Sequence, residues 1–195
     1  MARAQTRDRV LRATVRTLAS QGYARTTARA IARTGGFAPG VIYYHFTDLD
    51  DLFAATARFT SQARLERYRA ETDGVTGAVE LVRRLRRLYA EDGAEGHIAA
   101  VQELVAAATS STRLAEQIRA ETARWQDFAE TVLRGLLANT PLAALVPARE
   151  LAVAAVAAYL GMEMLSHIDA DHTTPAALFD AAERAAALAD SLHLR

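Results

Sequence analysis

The sequence predicts an all-α fold of about nine helices, and three observations lead to that prediction. Apolar residues recur at the helical spacing of three and four along almost every segment, and no two segments show the alternation expected of paired strands. Glycine and proline supply only 10 and 4 of the 195 residues, so few breakers interrupt long helices. A composition of 51% hydrophobic and 24% charged residues is typical of a globular chain with a real core.

The absence of some residue types narrows the function classes. Cysteine is absent, which excludes disulfides, thiolate metal sites and a cysteine nucleophile. The segment Met1–Val10 carries three arginines and no apolar stretch, so we expect no signal peptide. The longest uncharged apolar stretch, Leu151–Met162, is too short to span a bilayer. We therefore expect a cytoplasmic protein with no membrane contact.

A net charge of zero hides an uneven distribution along the chain. Residues 1–48 hold eight arginines and two aspartates, a net charge of +6, whereas residues 49–195 carry −6. Codon bias in a GC-rich genome would explain why arginine replaces lysine throughout, but not why acids avoid the first 48 residues. The pattern predicts a basic domain over 1–48 that meets a polyanion and a second domain over 49–195.

Three short helices are predicted in the basic segment. The first runs from about Ala4 to Gln21 and stops at a glycine. The second covers Thr27 to Thr34, with Thr26 or Thr27 as its N-cap, and a glycine pair ends it. The third runs from about Ala38 to Phe46, with proline suited to its first turn.

Six further helices follow from apolar stripes and cap residues. Thr47 or Asp48 caps the first, which runs to about Glu71, and the next covers Val75 to about Glu91. Ile98 to Ala108 mark a third, and Ser110-Ser111 caps a long fourth that ends near Asn139-Thr140-Pro141. Pro147 opens the fifth, through about Ile168, and Thr173 or Thr174 opens the last, through about His193.

The segment from Thr27 to Phe46 has the order helix, glycine turn, helix. Ile31 and Ile42 face inward, Gly36 suits the tight turn, and arginines flank the segment. Spacing alone fits a DNA-binding helix-turn-helix and an ordinary helical hairpin equally well.

The residues themselves resemble the N-terminal domain of the tetracycline-repressor-like (TetR) transcriptional regulators over about residues 5–56. The matching features are Gly22-Tyr23, Thr26-Thr27, Ile31-Ala32, Gly36, Pro39-Gly40, Tyr43-Tyr44-His45-Phe46 and Leu52.

This resemblance implies that the third helix enters the major groove of a double-stranded DNA operator. Carried over by position, the candidate base contacts are Pro39, Gly40, Val41 and Tyr43, and the candidate phosphate contacts are Tyr44 and His45. Thr27 and Arg29 match positions where the preceding helix touches backbone or a base. Since Gly40 and Val41 offer few hydrogen bonds, readout is expected to use thymine methyl groups, Arg29 and DNA shape.

Three positions depart from the family pattern. Leu49 stands where a lysine usually grips phosphate, Ala38 where serine or threonine usually caps the recognition helix, and Gly35 where alanine is usual. The first two favour a rival function: a ligand-binding or interaction protein whose helix-turn-helix no longer grips DNA. Arginines 3, 7 and 9 fit either DNA contacts or a solvated helix start.

In the larger domain, Trp125 and Phe128 lie on the longest predicted helix. Core aromatics are the simpler interpretation, but the resemblance implies that this helix lines a ligand cavity. Tyr89, Gln102 and Met162 are further candidates, and the small-molecule ligand is expected to be largely apolar.

The last two predicted helices are rich in alanine and carry wide apolar faces. Such faces fit either a buried hairpin within the chain or a four-helix interface between two copies. Because TetR-like proteins dimerise through their last helices, the resemblance favours a homodimer.

Two polar clusters have simpler interpretations than binding sites. Arginines 83, 84, 86 and 87 fit a solvated helix face better than a site for an acidic partner. His167, Asp169, Asp171 and His172 fit a polar loop better than a metal site.

His97 and Glu103 point to different faces of one helix, and the sequence shows no catalytic or nucleotide-loop motif. The resemblance implies a repressor that a ligand releases from a palindromic operator. The lack of an enzyme motif adds the expectation of no enzymatic activity, cofactor or metal.

Overall fold

A computed structural model of the chain describes residues 2–138, 143, 145–168 and 174–193. Within these ranges it contains nine α-helices and no strands, which confirms the predicted fold class. The helices are α1 (Ala2–Gln21), α2 (Ala28–Gly35), α3 (Gly40–His45), α4 (Leu49–Thr72), α5 (Ala78–Ala94), α6 (His97–Ala107), α7 (Thr112–Leu137), α8 (Ala148–Ile168) and α9 (Thr174–His193). Short 3-10 turns lie at Tyr23–Arg25 and Ala108–Ser110.

The chain divides into two compact units, residues 1–64 with 92–121 and residues 65–91 with 122–195. This division differs from the one after residue 48 because α6 and the start of α7 share a core with α1 and α4. The predicted functional boundary between 48 and 49 stays a prediction, and it falls inside the first unit.

The first unit has two apolar clusters. One cluster contains residues of α1, α2, α3 and α4. It buries Val10, Leu11, Ile31, Ile42, Phe46 and Leu52, among others. The second joins α1 and α4 to α6 and α7 and buries Leu18, Phe53, Leu104 and Leu114, among others. Helices α2 and α3 are thus held by the first cluster, and α6 and α7 by the second.

The second unit has an apolar cluster of its own. Leu65 and Tyr68 of α4, Leu88 of α5 and Phe128 of α7 are buried together, and Trp125 packs against them. Burying large aromatic and aliphatic side chains is the main source of stability in such a cluster.

Two helix limits differ from the sequence prediction for identifiable reasons. Helix α5 begins at Ala78 rather than Val75 because the Asp190 carboxylate accepts hydrogen bonds from the Ala78 and Val79 amides, at 2.8 and 3.1 Å. It continues past Asp92-Gly93 to Ala94 because the Asp92 side chain is buried against Arg64 instead of breaking the helix. Both partners are distant in sequence.

Candidate nucleic-acid interface

The turn between α2 and α3 has the geometry that its sequence predicts. Thr27 caps α2, and its Oγ1 accepts a hydrogen bond from the Ala30 amide at 3.2 Å. Gly36 ends α2 in the left-handed region at φ 65°, which glycine adopts without strain. The unusual Gly35 also has a local reason, because a Cβ there would lie 2.1 Å from the Phe37 ring.

Helix α3 is anchored by one side and leaves the other open. Ile42 and Phe46 are buried in the first cluster. Pro39 precedes the helix without a side-chain cap, in keeping with Ala38 at the position of the usual capping residue. Tyr43 and Tyr44 expose 57% and 65% of their surface. The short helix therefore presents two phenol groups to solvent.

Most of the candidate DNA contacts lie on this open side. Thr27, Arg29, Pro39 and Gly40 are exposed. A Cβ added to Gly40 would meet no atom within 4 Å, so the fold does not require glycine there. The start of α3 is therefore free to approach a duplex closely.

Two candidate contacts are less open than the sequence predicts. Val41 is half-buried because it packs against the first apolar cluster. His45 is half-buried as well, and its Nε2 is shielded from solvent without a hydrogen-bond partner. If His45 meets a phosphate, the other ring nitrogen is the better placed donor.

The arginines of α1 point toward the same region. Arg3 lies over the Tyr44 ring and Arg7 over the Phe46 ring, each 5.1 Å from the ring centroid. Arg9 donates hydrogen bonds to the carbonyls of Gly35 and Gly36, at 3.0 and 2.9 Å. Arg9 therefore holds the turn of the motif, a role that sequence reasoning missed.

Leu49 contacts both apolar clusters of the first unit. Its side chain thus serves packing where related proteins carry a phosphate-binding lysine. The start of α4 instead carries acidic side chains, and Asp48 caps it by accepting a hydrogen bond from the Asp51 amide at 2.7 Å.

The candidate ligand contacts fall into separate groups. Trp125 and Phe128 meet Tyr68 edge to face, with ring centroids 5.0 and 6.4 Å away. Tyr89 meets a different pair of rings, Tyr159 and Phe179. Met162 is buried in the same unit, at 8% exposure.

Gln102 belongs to the first unit, so it is not grouped with the other candidates. An open groove of about 370 Å³ in the second unit is lined by Val79, Arg83, Asp180, Glu183, Arg184 and Ala187. The predicted ligand contacts do not line it.

The arginines of α5 are substantially exposed, as expected of a solvated face, and they also pair with acids of the same chain. Arg83 pairs with Glu183 at 2.5 Å and Arg86 with Asp180 at 2.6 Å. Arg87 pairs with Glu71 at 2.5 Å. The fold brings these carboxylates from α4 and α9, so their pairing could not be read from α5 alone.

His97 and Glu103 do not form an acid–base pair, as the sequence predicts. The His97 Nδ1 lies 2.8 Å from the Thr60 hydroxyl, whereas Glu103 accepts a hydrogen bond from the Tyr23 amide.

The proposed polar cluster around His167, Asp169, Asp171 and His172 involves side chains outside the described residues. In the described part of the chain, no group of three or more histidine or acidic side chains is arranged to hold a metal ion. A search of the same residues finds no helix with the length and hydropathy needed to cross a bilayer.

Comparison with known proteins agrees with the geometry of the first unit. Residues 10–56 match the profile of the bacterial regulatory proteins of the tetR family. An uncharacterised HTH-type transcriptional regulator of Mycobacterium tuberculosis is 26% identical over 117 residues. That match covers 60% of this chain and 60% of the relative's length.

Solved structures agree over most of the chain. A TetR-family transcriptional regulator from Rhodococcus sp. superposes with a TM-score of 0.74 at 24% identity, covering 93% of this chain and 97% of that one. A transcriptional regulator from Saccharomonospora viridis, solved in complex with choline, gives a TM-score of 0.72 at 20% identity, covering 88% and 93%. These likenesses extend the similarity of fold to both units.

Proposed function

We propose that this chain is a transcriptional repressor of the TetR family that binds a palindromic operator as a homodimer and leaves it when a small ligand binds. The observation that carries the DNA-binding part is the open side of α3. There Tyr43 and Tyr44 are exposed, and Arg3, which has no carboxylate partner among the described residues, lies over the Tyr44 ring. Such a protein acts in the cytoplasm, where the DNA is.

In this proposal α3 lies in the major groove. Base edges are faced by Tyr43, Pro39 and Gly40. The DNA backbone is contacted by Tyr44 and the Thr27 hydroxyl, which fix the position of the protein on the duplex. Arg29 is an exposed cationic side chain near the start of α2, one helical turn before the exposed Arg33. A guanidinium reads guanine by two hydrogen bonds. Val41 contributes at most an apolar contact because it is half-buried.

The rival function is a regulator-like protein whose helix-turn-helix does not bind DNA. Two features favour it: Leu49 is occupied in packing, and α3 has no side-chain cap. The two functions differ in a simple experiment.

Wild-type chain is mixed with a library of random-sequence duplexes, and bound DNA is separated and sequenced over several rounds. We expect enrichment of a site with two related halves, spaced by about one helical turn, ~34–36 Å. A library that stays random after selection would favour the rival function.

The homodimer is supported by the apolar side chains that α8 and α9 leave exposed. These are Leu151, Val153, Met164, Leu165, Leu178 and Leu188, with exposed fractions from 40% to 70%. An exposed apolar surface of this kind is typical of a protein–protein interface, and a second copy with two-fold symmetry would cover it.

Leu188→Arg tests this interface because Leu188 is 70% exposed, so the substitution leaves the chain's own core intact. Ala186 is unsuitable, since it is already buried within the chain at 7% exposure. We expect light scattering to show a wild-type dimer and a Leu188→Arg monomer at micromolar concentration. A monomeric wild type would contradict the palindromic operator.

The ligand is proposed to lie beside Trp125, in the aromatic cluster with Tyr68 and Phe128. Such a cluster suits a largely apolar ligand, and aromatic faces also bind quaternary ammonium groups. Choline is therefore a reasonable probe, together with fatty acids and neutral hydrophobic compounds. The chain has a single tryptophan, whose fluorescence reports binding directly.

A ligand can release DNA only if it binds more tightly to the conformation that does not bind DNA. The resulting coupling free energy between the two sites is typically about 1–3 kcal/mol. The selected duplex must then lower the affinity of the protein for the ligand by the same factor. Equal ligand affinity with and without the duplex would show a binding protein rather than a switch.

A further inference from the structure

The turn that leads into α2 is held by a residue of α6. Glu103 Oε2 accepts a hydrogen bond from the Tyr23 amide at 2.5 Å, across 80 positions in the sequence. A Cβ on Gly22 would lie 3.3 Å from the same carboxylate oxygen, so the turn is seated closely on Glu103. A hydrogen bond to an ionised acceptor is stronger than a neutral one.

The start of α4, the next helix after α3, is held by Ser111, which immediately precedes α7, and by Arg113 in its first turn. The Ser111 hydroxyl donates to Asp50 Oδ2 at 3.0 Å. The Arg113 guanidinium donates to Asp48 Oδ1 at 3.1 Å. Asp48 is the residue that caps α4, so this contact acts on the point where the chain leaves the recognition helix.

These contacts lie on either side of the helix-turn-helix and come from one short segment, residues 103–113, which we call the bracket segment. The bracket segment is itself fixed, because Leu104 and Ala107 are buried in the second apolar cluster. The Tyr23 ring also packs against Phe53 of α4, with 4.9 Å between the ring centroids, so the turn before α2 contacts the helix that follows α3. Burial, and then the nearby charge of Asp50, raise the pKa of the Tyr23 phenol.

We propose that the bracket segment positions the helix-turn-helix for DNA binding, with Glu103 and Asp50 as positioning residues that touch no DNA. The inference rests on the DNA-binding function proposed above. Helix α3 has only six residues and few buried side chains, so its direction depends on how the chain is held before and after the motif. Removing either contact is expected to spread α3 over several orientations and weaken binding.

The negative charge of Glu103 and Asp50 separates a positioning role from a purely electrostatic one. Glu103 and Asp50 are negative, so a purely electrostatic role would make their removal strengthen binding to DNA. A positioning role predicts the opposite sign. Glu116 provides the matched control, because it is an exposed glutamate of the same unit on α7.

The experiment measures binding of a duplex selected by the wild-type chain, over a range of salt concentrations. Glu116→Ala is expected to bind as tightly as wild type or slightly more tightly. Glu103→Ala is expected to bind about fivefold more weakly or worse, which is the lower limit of typical coupling between sites. Glu103→Gln keeps an oxygen acceptor and is expected to restore part of the loss.

Two further readouts separate positioning from other causes. The dependence of log affinity on log salt counts neutralised phosphates, so it stays at the wild-type slope if Glu103 touches no DNA. The Tyr23 amide is expected to exchange its hydrogen faster in Glu103→Ala and at the wild-type rate in Glu116→Ala.

Asp50→Ala tests the second contact, because it removes the carboxylate that accepts the hydrogen bond from Ser111. Asp50 is exposed, so the substitution leaves the apolar core intact. If Glu103→Ala does not fold, this variant decides alone. A wild type that binds the duplex while both Glu103→Ala and Asp50→Ala bind like Glu116→Ala overturns the inference only. A wild type that binds no duplex removes the proposed function, and the inference with it.

Discussion

The first 48 residues and the helix α5 use arginine in opposite ways. Arg3 and Arg7 of α1 lie over aromatic rings, and Arg9 binds two carbonyl groups. On α5, by contrast, Arg83 and Arg86 each pair with a carboxylate. Among the described residues no carboxylate pairs with Arg3, Arg7 or Arg9, so the protein itself offsets their charge less than that of the α5 arginines.

The number of arginines in a run of sequence therefore does not give the positive charge that a surface leaves for a polyanion. The four arginines between 83 and 87 form the densest basic run of the chain, yet the fold supplies acids to them from α4 and α9. The arginines of residues 1–48 are more widely spaced but have few acids near them. A polyanion is attracted by the charge that remains after such pairing.

The largest effect is expected for Arg64, which is both buried and paired. Arg64 and Asp92 expose 5% and 0% of their side chains, at a distance of 2.6 Å. Arg64→Met removes the cation that lies 2.6 Å from a buried carboxylate and is expected to lower the free energy of unfolding by about 3–5 kcal/mol. Urea denaturation measures this loss, with the exposed Arg58→Met as control. Equal stability of the two variants would contradict the burial of this pair.

A smaller effect is expected for an unpaired arginine of the DNA-binding domain. Arg29→Ala is expected to cost about 1–3 kcal/mol of operator affinity if Arg29 reads a base, and less if it meets phosphate. Its unfolding free energy should stay at the wild-type value because Arg29 is exposed. Arg119→Ala, an exposed substitution on α7, is the control and should leave DNA binding unchanged. An equal loss of affinity in Arg29→Ala and Arg119→Ala would mean that the loss reflects the net charge of the protein and not a contact made by Arg29.

The paired arginines of α5 should matter least to DNA binding. Arg86→Ala breaks an ion pair whose side chains are 42% and 52% exposed, so we expect a stability loss of about 0–1 kcal/mol. Operator affinity and its salt dependence should both match wild type. A shallower salt dependence in Arg86→Ala would mean that this cluster meets phosphate, and the contrast between the two regions would fail.

The smallest effect concerns pH. The hydrogen bond from Arg134, with a second from Arg149, lowers the pKa of Glu130 below its ordinary value of 4.5. A lowered pKa in the folded state stabilises the protein above that ordinary value, and the contribution is lost as the pH falls through the folded-state pKa. Glu130→Gln should therefore be slightly less stable than wild type at neutral pH and equal to it in acid. A difference that persists unchanged into acid would point to lost packing instead of lost charge.

Much of the fold could be predicted from the sequence because local signals determine it. The apolar stripes gave nine helices, and Thr27 and Gly36 marked the limits of α2 through their capping chemistry. The open side of α3 also followed from the pattern, with Ile42 inward and the tyrosines outward.

Features that depend on distant residues could not be predicted in this way. Asp190 caps α5 from α9, and Glu103 holds the Tyr23 turn from α6. The half-burial of Val41 and His45 likewise depends on how α3 packs, which a helical period does not specify. The residues next to a charged side chain in the sequence do not show which distant residue will pair with it in the folded protein.

The central claim is that exposed tyrosines, and arginines without a carboxylate partner among the described residues, bind DNA through the first 48 residues. The most direct test measures affinity for the selected duplex at several salt concentrations, for wild type and for the double variant Arg29→Ala, Tyr44→Ala. We predict that wild-type affinity falls about tenfold or more between low and physiological salt, as a handful of phosphate contacts requires. The double variant should bind far more weakly while unfolding at the wild-type urea concentration. A double variant that keeps wild-type affinity would contradict the account.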